Sequence, residues 1–342
     1  MPSADRGPDP VFFVLAVAMS FLSLSLPAAA ELGGKPEKSS FSVSYTQASG
    51  AFTPLWVAQD AGLFKKYGLD AGLKLLNSQV ALQALVAGEV DVISSGPDLV
   101  NARLQNVPVK YIGASLQRFV FQLWGAKGIS TLADLKGKTI AVTTPRTSTE
   151  IAAREAIKKT GGIAEKDVSF LYVQTIPAIL TAIMNGKTSA GTLSAPNTLK
   201  ARDAGLSLLI DIAQINVPGL HLAYGTTEKS IKSNPNLLYA FLKATAEATL
   251  LARQNPAVAK KAIGKFTDTN DANMIDGTYE QFAPYWDANL ALRTEPIQGQ
   301  LFYLDEKEFP RAKEARATEF IDNSFADYLK TSGFLQGLGA SK

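Results

Sequence analysis

The chain has 342 residues, 34 lysines and arginines against 31 acids, a net charge of +3, one histidine and no cysteine. Its basic residues are dispersed and matched by acids, which argues against a nucleic-acid partner. Without cysteine there can be no thiolate metal site, no thiol nucleophile and no lipidated residue at a processing site, so a lipoprotein is excluded.

Val11 to Leu26 is an unbroken run of apolar residues and serine, followed by Pro27 and by Ala28, Ala29 and Ala30. A hydrophobic stretch ending in small residues reads as a secretory signal cut near Ala30. Arg6 is offset by Asp5 and Asp9, so the charge flank is weak, and an uncleaved anchor is the competing reading. The run is shorter than the ~20 apolar residues a span prefers. The expectation is a free, monomeric protein of the periplasm. The remaining 312 residues suffice for two domains.

From residue 41 the chain alternates strand and helix patterns. Phe41, Val43 and Tyr45 alternate as a half-buried strand does, and 55–66 reads as one helix stopped by Gly68. Residues 69–76 read as a strand, 80–87 as a helix with Gly88 as its cap, and 90–94 as a short buried strand entering Ser95-Gly96-Pro97. Such alternation predicts an α/β fold with mostly parallel sheets. The plan then recurs. Residues 81–97 (helix, Gly, strand, small-residue turn, Pro) are echoed by 179–196, and 54–68 by 147–161. Residues 119–125 and 217–224 read as two crossing strands between like-built lobes. The expected division is lobe I over 36–121 plus 222–342 and lobe II over 122–221, with a largely helical tail at 235–254, 256–266 and 319–330.

The segment PLWVAQDAGLFKKYGLD at 54–70 resembles the opening helix of the nitrate/sulfonate/taurine-type ABC solute-binding proteins, the NMT1/THI5-like family. ALVAGEVD at 84–91, PVK at 108–110 and ISTLADLKGKTIAV at 129–142 extend the resemblance over most of 41–225. It implies a type II periplasmic-binding-protein fold: two lobes, two crossing strands and a ligand in the cleft. It also implies ABC permease and ATPase partners, no cofactor and no catalysis.

In α/β sheets of this kind ligands sit beyond the carboxyl ends of strands, where helix N-termini offer unpaired amides to anions. Four strand-to-helix turns are therefore the candidates for a small anionic ligand, sulfonate or carboxylate in type. The first supplies Gln47, Thr53 and the aromatic wall Phe52; the second, Ser95 and Gly96. The third supplies Thr144, Thr147, Ser148 and Arg146, whose fork suits a carboxylate, and the fourth Ser194 and Asn197. The hydroxyls serve equally as helix caps, and Arg146 equally as a solvated surface charge. Gln117, Arg118 and His221 stand in the crossings; a salt bridge for Arg118 and a structural role for His221 are the alternatives.

One histidine and no cysteine leave no nucleophilic pair and no His-based metal cluster. Gly137-Lys138-Thr139 and Gly186-Lys187-Thr188 imitate the end of a P-loop but precede strands and lack its first glycine. Thiamine-pyrimidine synthases share the fold implied by the resemblance and draw on a histidine and pyridoxal phosphate. The export signal and a first lobe without histidine speak against that reading. A ligand-binding sensor is the other alternative.

Overall fold

The computed structural model describes Met1 and residues 32–339; the expected signal segment lies outside the described residues. Ten strands form two five-stranded sheets. They are β1 (Ser40–Tyr45), β2 (Asp70–Leu75), β3 (Val92–Ser95), β4 (Val109–Arg118), β5 (Gln122–Gly125), β6 (Lys138–Val142), β7 (Val168–Tyr172), β8 (Ala190–Leu193), β9 (Ser207–Asp211) and β10 (Pro218–Thr227). The first sheet has the order β2-β1-β3-β10-β4 and the second β7-β6-β8-β5-β9. In each, three strands run parallel and the last two pair antiparallel. The repeat legible in the sequence is thus a repeat of topology, with β1-β2-β3 matched by β6-β7-β8.

The chain passes between sheets twice. Residues 119–121 lead from β4 to β5, and residues 212–217 lead back from β9 to β10. Of the single strand expected over 119–125 only 122–125 is strand (β5), preceded by an irregular step at 119–121 that follows β4. β10 already pairs at Pro218 with Arg118 of β4 in the first sheet.

Each sheet has its own core. In the second lobe Trp124, Ile140, Ile179 and Leu193 belong to one cluster. The first sheet is covered on both faces. Phe41, Trp56, Phe241 and Trp286 fill one side, and Ile93, Leu99, Tyr111 and Phe320 the other. The helices Pro235–Gln254 and Pro256–Phe266 keep the expected bounds, each opening on a proline whose missing N–H is harmless in a first turn. Gly88 caps Ser78–Ala87 with φ +80°, a conformation open to glycine without strain. The helix expected over 55–66 is two: Thr53–Asp60 and Leu63–Lys66, separated at Gly62, whose φ is 70°. Among the described residues no helix is long and apolar enough to cross a membrane.

β8 is built from Ala190, Gly191, Thr192 and Leu193 because its helix lies close. A Cβ on Gly191 would stand 2.3 Å from Ile179 Cγ2 and 2.9 Å from Ile183 Cδ1, whereas one on Gly72 would meet nothing within 4 Å. Overpacking of this kind costs about 1–3 kcal/mol. In chemical denaturation Gly191→Ala is expected to lower the unfolding free energy by that amount and Gly72→Ala to leave it within about 0.5 kcal/mol; equal stabilities for the two variants would refute the packing argument.

Candidate functional site

The four turns at the carboxyl strand ends meet in pairs across the two lobes. Turn one meets turn four: Ser49 Oγ lies 3.3 Å from Ser194 Oγ and 3.4 Å from Ala195 O, and Gly50 N–H donates to Ala195 O at 3.4 Å. Turn two meets turn three: a Cβ on Gly96 would fall 2.2 Å from Ser148 Oγ and 3.1 Å from Leu220 O. Ser148 Oγ–H donates to that same Leu220 carbonyl at 3.1 Å. The two lobes touch through these paired turns.

Within them the residues play different parts. Gln47 Oε1 is buried and without a hydrogen-bond partner, as are Ser44 Oγ and Ser94 Oγ near the ends of β1 and β3, whereas the Ser95 hydroxyl is engaged by the Asp98 carboxyl. Buried polar atoms are ordinarily paired, which sets these apart from the hydroxyls of the neighbouring turns. Thr53 instead donates to Gly50 O at 2.8 Å, and Phe52 is buried against Tyr45 and Trp56, so both hold the first turn together. In the third turn Thr143, Thr147 and Thr149 link their hydroxyls at 2.8–3.1 Å, and Thr147 donates to Thr144 O at 2.8 Å. Thr147 makes no side-chain cap bond to the helix Ser148–Thr160, so that helix's first-turn amides keep no hydroxyl partner from it. Ser194 faces Ser49, and Asn197 is buried at the start of Asn197–Asp203.

Arg146 is engaged by the first lobe's tail. Its Nη2–H donates to Glu308 Oε1 at 2.7 Å, and its guanidinium carbon stands 5.3 Å from the Phe309 ring centroid. Gln117 is fully used: Nε2 donates to Ala291 O at 2.7 Å, and Oε1 accepts from Arg293 N at 2.6 Å. Arg118 makes no salt bridge; it stacks on Tyr285 at 5.2 Å and donates to Ala213 O at 3.4 Å. His221 lies in β10, so the expectation of a first lobe without histidine is corrected. Its Nδ1 accepts from Val120 N–H at 2.9 Å, its ring stacks on Phe121 at 4.2 Å, and Phe282 meets it edge-on at 5.7 Å. It pins the step between β4 and β5.

Two polar residues at the site were missed. Asp98, directly after the second turn, has its carboxyl pushed above the usual range by burial. Its place next to Pro97 was the available signal. Gln281 accepts from Ala195 N and Thr198 Oγ1 at 3.1 and 2.9 Å, bracing the fourth turn from a helix 84 positions or so along the chain. No local pattern announces such a contact. Among the described residues no group of three or more His, Cys, Asp or Glu is placed to hold a metal ion.

Two topologically equivalent α/β lobes with crossings at 119–121 and 212–217 define a type II periplasmic-binding-protein fold. Residues 49–259 match the family described as NMT1/THI5 like, and the chain belongs to that family. Solved structures share the fold at low identity. The alkanesulfonate-binding protein SsuA from Xanthomonas axonopodis pv. citri, bound to MOPS, is 16% identical with a TM-score of 0.69, over 84% of this chain and 99% of its own. The periplasmic nitrate-binding protein NrtA from Synechocystis PCC 6803 is 15% identical with a TM-score of 0.66, over 90% and 91%. The periplasmic aliphatic sulphonate binding protein SsuA from Escherichia coli is 15% identical with a TM-score of 0.60, over 87% and 88%. No match was found among curated proteins.

Burial lowers the His221 pKa from 6.5 to about 3. The folded value lies below the unfolded one, so the stability gained by keeping the ring neutral is complete above pH 6.5 and is lost as pH falls toward 3. Between pH 7 and 5 that loss is about 2 kcal/mol. His221→Gln, whose amide oxygen can still accept from Val120, is expected to abolish this part of the slope. Denaturation at both pH values checks it, and an unchanged slope in the variant would contradict the assignment.

Proposed function

We propose that the protein is the periplasmic solute-binding component of an ABC importer, which takes a small organic or inorganic anion into the inter-lobe cleft and delivers it to a membrane permease. The observation that carries this is the pairwise meeting of the four strand-end turns around buried polar atoms that have no partner in the protein. The paired turns are what closure of two lobes over a ligand would produce. Membership of the family, and a fold shared with nitrate- and sulfonate-binding proteins, support the same reading.

An anion suits the third turn, where the thirteen-residue helix Ser148–Thr160 directs its first amides toward the second turn's side. A direct pair between Arg146 and the ligand requires the guanidinium to leave Glu308. The export signal near residues 11–30, monomeric state and permease delivery belong to the same proposal. Catalysis does not.

A thermal-shift screen with nitrate, sulfonates, aromatic carboxylates and pyrimidines tests the reading. A ligand at 100 times its Kd contributes about 2.7 kcal/mol to the folded state and raises Tm accordingly. Gly96→Ala puts a methyl group where Ser148 Oγ now sits, so it is expected to weaken that ligand's binding at least about tenfold, about 1.4 kcal/mol, and to lower the ligand-free Tm as well, since the same methyl meets Ser148 Oγ and Leu220 O without ligand. No shift from any class would defeat the proposal for these ligands, and full-strength binding by Gly96→Ala would defeat the role of closure.

A further inference from the structure

The tail of the first lobe reaches the second lobe through residues 300–308. Ile297, Leu301, Leu304 and Phe309 are buried in a first-lobe core, which anchors residues 295–309 there. From this base three polar side chains reach across. Gln300, almost fully buried, donates through Nε2 to Asn101 Oδ1 in its own lobe and to Arg146 O in the other, each at 3.1 Å. Tyr303 donates its hydroxyl to Glu155 Oε1 at 2.5 Å, and its ring packs against the second lobe's core. Glu308 accepts from Arg146 Nη2 at 2.7 Å.

Two of these contacts converge on Arg146, and its conformation shows that it is held. Its φ is 60°, a region that side-chain-bearing residues enter only when their surroundings impose it. Its amide donates to Glu150 Oε2 at 2.7 Å, its carbonyl accepts from Gln300, and its guanidinium lies between Glu308 and Phe309. Two residues later the same turn carries Ser148, which closes on Leu220 O and on Gly96.

We infer that residues 295–309 form a strap that sets the balance between open and closed cleft from outside it. Gln300, Tyr303 and Glu308 are positioning residues: they hold the 143–148 turn in its closed place without touching the ligand. The inference rests on the solute-binding reading in one respect, its consequence for affinity, since an apparent Kd rises by the factor by which the closed population falls.

The chain has no cysteine, so spin labels can be placed at will. Gln79→Cys and Thr181→Cys put them on exposed positions of the equivalent helices Ser78–Ala87 and Ile176–Met184, one in each lobe. Electron–electron distance measurements on the labelled protein without ligand compare the parent with Tyr303→Phe/Glu308→Gln. The expected result is a shift to longer separations, with a roughly tenfold drop in the ratio of closed to open molecules, equivalent to about 1.4 kcal/mol. Glu308→Asp, which keeps the charge, retains the short separation. Identical distance distributions in parent and double variant would overturn the strap, and so would a fall in Tm with no change in distance. No ligand enters this measurement, so an empty ligand screen and a failed strap are separate results.

Discussion

Closure depends on the absence of a side chain at Gly96. Ser148 Oγ from the other lobe occupies the place a Cβ would take, and the Leu220 carbonyl lies just beyond. The second lobe can come down on the first only because that space is free. Much else follows from this approach. It brings the helix that starts at Ser148 to the end of β3, and the Ser94 hydroxyl there is buried without a partner. It also lets turns one and four touch at Ser49 and Ser194. Those contacts are wide, at 3.3–3.4 Å, and lie between neutral groups, so they are weak in the net. A cleft that must open again is served by weak contacts at its lips and a well-packed hinge.

The hinge and the margin are built differently. At the hinge, His221 receives the Val120 amide and fills the space between Phe121 and Phe282, so the chain's step between sheets is packed as a core is packed. At the margin, contacts run through long side chains, Arg146 to Glu308 and Tyr303 to Glu155, on partly exposed surface. Ion pairs of that kind are worth little singly. Their effect is geometric, because they fix a turn that the cleft uses. Among the described residues the two crossings supply the covalent continuity between two lobes, each with its own core.

Much of the fold was legible in the sequence for a local reason. The period-2 pattern of Phe41, Val43 and Tyr45, the Gly88 cap and the prolines at 235 and 256 are each decided within a few residues. The recurrence of 81–97 in 179–196 announced two like sheets. Errors fell where a single residue redirects the backbone: Gly62 breaks a helix that periodicity would continue, and 119–121 break a strand that hydrophobicity would continue. At the candidate site, the four turns were legible as turns because strand ends are visible as patterns. The partner of each side chain was not. Arg146 has the residue type for a ligand carboxylate, yet Glu308, 162 positions away, takes its guanidinium.

The sequence by itself determined the class: repeated strand–helix units, two crossings, and polar turns at the strand ends, all written in spacing and in glycine and proline placement. Only the tertiary structure decided which turn faces which, that His221 stands in the first sheet, and that the tail from 295 to 309 returns to hold the second lobe. The reason is physical. Periodicity and turn chemistry are set by neighbours along the chain, whereas the pairing of Ser49 with Ser194, or Gln300 with Arg146, depends on how two separately built cores come to rest against each other.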